Sequence, residues 1–81
     1  MNETEVNAKL AQIFRQVFPA HQQEFTGNDS VETIGDWDSL GHIKLMLAIE
    51  TAFKHKLSTA AMLELNSIAK IQIYLIEKGV L

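Results

Sequence analysis

Eighty-one residues without a cysteine make one small domain over 1–81, with no disulfides or thiolate-bound zinc to lean on. A chain this short buries only about 60% of the surface it exposes when unfolded and has little room for an enclosed catalytic cleft. Seven basic against ten acidic residues leave a formal charge of −3, which argues against nucleic acid as a partner, because phosphate binding needs clustered lysine and arginine.

No apolar run approaches the roughly 18 residues of a membrane span. The start at Met1 followed by polar Asn2, Glu3 and Thr4 lacks a basic segment leading into an apolar run, and this predicts a soluble, cytoplasmic protein. From Glu3 to Phe18 the residues Val6, Leu10, Ile13, Phe14 and Val17 recur at three and four positions, the period of one helix face, and Asn2 with Glu5 is spaced as a capping box. Pro19 ends that helix. Residues 19–38 hold Gly27, Asn28, Asp29, Ser30 and Gly35, which favour turns, and Phe25, Val31, Ile34 and Trp37, apolar anchors that pin a loop onto the helices. A packed loop is expected there, not a disordered linker.

A second helix is predicted from Ser39 to Phe53, with Ile43, Met46, Ile49, Ala52 and Phe53 inward and Leu40 and Leu47 on an adjacent face. Lys54, His55 and Lys56 complement the partial negative charge of its C-terminus, and Leu57 returns to the core. Ser58 or Thr59 caps a short third helix carrying Met62 and Leu65. Asn66 or Ser67 caps a last one with the stripe Ile68, Ile71 and Leu75, closed by Lys78 and Gly79. The expected fold is all-α: a four-helix bundle of three longer helices and one short one, with a long packed loop between helices 1 and 2.

The stretch Asp36-Trp37-Asp38-Ser39-Leu40 puts a serine hydroxyl at the head of the second helix, between two carboxylates and two large apolar side chains, with no histidine or lysine base beside it. Such a serine is better suited to being modified than to attacking a substrate. Its simplest role is an N-cap, worth about 1 kcal/mol. A hydrolase built on it would need His42 as base, and no orienting acid for His42 is identifiable. His21, His42 and His55 have no spacing to Asp or Glu that makes a metal site and are expected to face solvent. Trp37 reads as an anchor of the loop. The chain is not expected to be an enzyme.

The run Asp38-Ser39-Leu40, then Ile43, Leu47, Ile49, Glu50 and Phe53, then Leu57, and finally Asn66-Ser67-Ile68 leading to Tyr74-Leu75 resembles the acyl carrier protein family and is similar to the carrier domains of polyketide and nonribosomal peptide assembly lines. The resemblance covers essentially the whole chain. Its specific part is the Asp-Ser-Leu triplet at the head of a helix whose apolar pattern ends in Phe. It implies that Ser39, flanked by Asp38 and Leu40, receives a 4′-phosphopantetheine arm from coenzyme A through a phosphopantetheinyl transferase. The phosphoprotein so made would carry acyl groups as thioesters between acyl-loading and acyl-processing enzymes, as in fatty acid or polyketide biosynthesis, and would act as a monomer.

A phosphodiester at a helix N-terminus is favoured by unpaired N–H groups and the helix dipole. Asp36 and Asp38 oppose it by repulsion; their expected roles are to favour the helix start and to give the transferase charge to recognise. Leu40 and Leu47 are either part of a wide buried stripe or the apolar contact surface that the resemblance implies. Many carriers bear several acidic residues along the second helix, whereas this chain has Gly41, His42, Lys44 and Thr51 among the expected outward positions and Glu50 as its only carboxylate between Ser39 and Phe53. The third helix likewise holds Ala60, Ala61, Met62 and Leu63 where acidic residues are common. A specialised lipid, polyketide, amino-acyl or sugar-modification pathway is therefore expected, not bulk fatty acid synthesis. An apolar cargo would tuck among Ile43, Met46, Met62 and Ile71. The competing expectation is an unmodified helical interaction module that binds an amphipathic partner helix on the Leu40/Leu47 face.

Overall fold

Capping chemistry sets the helix boundaries. In the computed structural model, which describes residues 6–81, the Asn7 side-chain oxygen accepts hydrogen bonds from the N–H groups of Lys9 (2.9 Å) and Leu10 (3.4 Å) and opens α1 (Ala8–Val17). The helix therefore starts after Val6. The Asn2–Glu5 capping box lies outside the described residues. Asn7 is favoured because its own N–H donates to Gln72 Oε1 at 2.7 Å, a tie to the far end of the chain. At the other end Phe18 leaves helical geometry, as a residue before proline must.

The second helix, α2 (Ser39–Phe53), has the predicted bounds and ends at Lys54, held in the left-handed region at φ 52°. Ser58 caps α3 (Thr59–Glu64) by accepting from Ala61 N–H, and Ser67 caps α4 (Ile68–Glu77) by accepting from Lys70 N–H, both at 3.1 Å. Gly79 closes α4 at φ 72°, the left-handed angle that glycine adopts without strain. Among the described residues the regular structure is all helical, and no helix is long and apolar enough to cross a membrane.

One core joins the elements. Leu10, Ile13 and Phe14 of α1 meet Leu45, Met46 and Ile49 of α2 and Ile68, Ile71 and Leu75 of α4, with Leu57 and Leu65 closing the ends of α3. The loop between α1 and α2 adds Phe18, Phe25, Ile34 and Trp37, and the Phe14 ring lies 5.5 Å from Phe25 and 5.3 Å from Trp37. Its turns are tied internally by Asp29, whose carboxylate accepts from Thr26 N–H and from the Thr33 hydroxyl, each at 2.9 Å. It is tied to the start of α4 by an isolated β-bridge between Ser30 and Ser67, with Val31 N–H donating to the Asn66 carbonyl and Ile68 N–H to that of Asp29. The loop is packed, as expected.

Two inward assignments change. Val31 is exposed, since its N–H faces the bridge while its side chain turns away from the core. Ile43 is also exposed, and Leu45 takes the buried place. Positions i and i+2 lie about 200° apart around a helix, so Ile43 and Leu45 cannot both face one core. The inward stripe of α2 runs instead through Gly41, Leu45, Met46 and Ile49. Ala52 and Phe53 lie partly buried at its edge, as does Met62 of α3.

Candidate functional site

The first turn of α2 is organised by Asp38. Its backbone is extended, its carbonyl accepts the first helical bond from His42 N–H (2.7 Å), and its carboxylate accepts from Gly41 N–H (2.8 Å). Asp38 is therefore the N-cap. Ser39, read from sequence as the cap in its simplest role, is instead the first helical residue. Its side chain is exposed and makes no hydrogen bond to any described residue. With Gly41 N–H taken by Asp38, the N–H groups of Ser39 and Leu40 are left at the helix end, where they favour an anion. Asp36, Asp38 and Leu40 are exposed around it.

Gly41, expected to face outward, is buried because the loop passes directly over it. A Cβ at this position would sit 2.2 Å from the Asp36 carbonyl oxygen and 3.0 Å from Phe18 Cε1. The absent side chain is what lets the Asp36–Asp38 backbone lie against the helix and fixes the direction from which Ser39 enters it.

His42, expected in solvent, is half-buried and fully bonded. The Trp37 indole N–H donates to His42 Nδ1 at 2.9 Å, and His42 Nε2 stands 2.5 Å from the Met62 carbonyl. An indole only donates and a carbonyl only accepts, so Nδ1 is unprotonated and Nε2 carries the hydrogen. The two rings lie nearly parallel, 18° apart. His42 thus bridges the loop, α2 and α3, and neither nitrogen is offered to Ser39. His21 and His55 are half-buried too. His21 stacks on Phe25 with centroids 4.6 Å apart, and its Nε2 is enclosed with no hydrogen-bond partner among the described residues. His55 meets Tyr74 edge-on. Among the described residues no three His, Asp or Glu side chains gather in a way that could hold a metal ion.

The outer face of α2 is apolar. Leu40 is 61% exposed, Ile43 57% and Leu47 54%, so the Leu40/Leu47 face belongs to the surface and Ile43 joins it. Lys44 and Thr51 are exposed on α2 as expected. Glu50 is not a free surface carboxylate, because Oε2 accepts from Leu57 N–H at 2.7 Å and ties the end of α2 to the turn before α3. The role of Asp38 had a local signal, an Asp three residues before an N–H that needs an acceptor. His42 had none, since one of its partners is twenty residues away. No protein-family model, curated protein or solved structure matches the chain.

Proposed function

We propose that this chain is a carrier protein that bears acyl intermediates as thioesters on a 4′-phosphopantetheine arm attached to Ser39, in a specialised biosynthetic pathway. The observation that carries the proposal is the exposed, unbonded hydroxyl of Ser39 at the first position of α2, next to N–H groups left without acceptors and held in place by a neighbouring cap. The arm's phosphodiester fits that helix end. In this reading the four helices form the bundle of a carrier, working as a cytoplasmic monomer.

The chain is a substrate at each step, not an enzyme. With both nitrogens of His42 engaged, the base and metal must come from the transferase. The Ser39 oxygen attacks the pyrophosphate of coenzyme A and gives its proton to the transferase's base. A P–O bond to Ser39 forms as the pyrophosphate P–O bond breaks, and adenosine 3′,5′-bisphosphate leaves. Asp38 and Leu40 flank the attachment point, and Asp36 and Asp38 give the transferase charge to recognise. Acyl-loading and acyl-processing enzymes then meet the face of Leu40, Ile43 and Leu47.

The same exposed face supports a second reading, an unmodified module that binds a partner helix there. Intact mass after incubation with coenzyme A and a broad-specificity phosphopantetheinyl transferase separates the two. The carrier gains one arm on Ser39, and Ser39→Ala abolishes the gain. No gain under conditions that modify a control carrier refutes the carrier and leaves the module.

A further inference from the structure

Building on the carrier reading, we infer that the cargo on Ser39 rides outside the helices, and that its class is a short acyl group, not a long aliphatic chain. Both flanks of the first turn of α2 are closed. On one flank the Asp36 carbonyl lies against Gly41, so close that no Cβ fits between them. On the other, His42 crosses from α2 to α3 through its bond to the Met62 carbonyl, and the same ring holds Trp37. A chain starting at Ser39 and turning inward past α3 meets that bridge within one helical turn.

Nor do the residues expected to receive an apolar chain converge on one space. Ile43 faces solvent, whereas Met46 and Ile71 are within 1% of complete burial, packed with Leu45, Ile49 and Leu75 in the core. Entry would have to break the His42 bridge and part a packed interior, which resists added volume. A long aliphatic chain left outside keeps its methylene groups in water, at a cost that rises with length. A short acyl group carries little of that cost. It also leaves Leu40, Ile43 and Leu47 free for a partner enzyme.

The test compares Ser39 loaded with acetyl and with octanoyl pantetheine arms, both delivered from the corresponding acyl-coenzyme A by the transferase. Two readouts are taken: methyl shifts of Met46, Ile71 and Leu75, and the rate at which hydroxylamine cleaves the thioester. The expected result is that the core methyl shifts are the same for both arms and the cleavage rates agree within about twofold. Core shifts specific to the octanoyl arm, with cleavage slowed about tenfold, correspond to a cargo buried roughly nine-tenths of the time and overturn the inference. In His42→Ala the octanoyl arm is expected to reach the core methyls. If it does not, the role given to the His42 bridge is refuted. Failure of Ser39 to load at all removes the carrier reading itself, a result distinct from a loaded arm that enters the core.

Discussion

Replacing Gly41 by alanine tests the contact that sets how Ser39 is presented. The new Cβ would lie 2.2 Å from the Asp36 carbonyl oxygen, 3.3 Å from its carbon and 3.0 Å from Phe18 Cε1. Carbon atoms pack comfortably at about 3.5–4.0 Å, so the shortfall exceeds an ångström against backbone, which cannot rotate away. Alanine in a helix interior is favoured over glycine by about 1 kcal/mol. Overpacking typically costs about 1–3 kcal/mol, and an overlap this deep with a main-chain carbonyl belongs at the upper end. The net expectation is a loss of about 2 kcal/mol, which lowers Tm by roughly 8–16 °C in a domain of this size. Thermal melting followed by circular dichroism measures it, with Gly35→Ala as the control. Nothing lies within 4 Å of a Cβ at Gly35 and its φ is not positive, so that variant should be neutral or more stable by up to about 1 kcal/mol. Melting of Gly41→Ala at or above the wild-type temperature would show that the loop is not seated on α2, and the account of how Ser39 is held would fall with it.

Ser39→Ala should change stability by less than about 0.5 kcal/mol, because the cap is Asp38; a larger loss in urea titration would make the hydroxyl structural. Asp38→Ala should cost about 1 kcal/mol, while Asp38→Asn keeps most of that capping. If Asp38→Asn is nevertheless loaded more slowly by the transferase, charge recognition is separated from capping; equal loading rates would remove that role. His42→Ala leaves the buried Trp37 N–H without an acceptor, a loss of about 1–3 kcal/mol, and Trp37, the chain's single tryptophan, should report it as a shifted emission maximum in the native state. Glu50→Ala should speed amide exchange at Leu57, whose N–H loses its acceptor, and unchanged protection there would contradict the bond.

Local chemistry was legible in the sequence and long-range contact was not. The bounds of α2, the caps at Ser58 and Ser67 and the closure at Lys78 and Gly79 depend on side chains within a few residues of the backbone groups they satisfy, so spacing reveals them. The buried face of α2 is a different problem. Apolar residues at 40, 43, 45, 46, 47 and 49 surround most of that helix, so periodicity supports more than one face. The choice is made by the loop docking at Gly41. The same holds for the cap at Asn7, where Gln72 contributes an acceptor from 65 residues away, and for His42, whose partner Met62 lies on another helix. The place of Ser39 at the start of α2 was legible because the Asp38 cap beside it is local, whereas the packing of Phe18 against Gly41 was not.

The distribution of charge on α2 now has a structural cause. Glu50 is committed to Leu57 N–H, so the exposed charge between Ser39 and Phe53 is that of Lys44. Negative charge is concentrated just ahead of the helix, at exposed Asp36 and Asp38. In the carrier reading these are two separate labels. The acidic end steers an enzyme toward the hydroxyl to be modified, and its influence falls off over about one Debye length, near 8 Å at physiological salt. The strip from Leu40 to Leu47 extends for two turns, about 11 Å, so its far end lies beyond the reach of Asp36 and Asp38 and contributes contact area beside Lys44. Electrostatic complementarity acts mainly on association rate, whereas apolar fit acts mainly on dissociation. Partners that handle the cargo are then selected by how long they stay on an apolar strip edged by exposed Lys44, and the transferase by how fast it arrives at an acidic helix end.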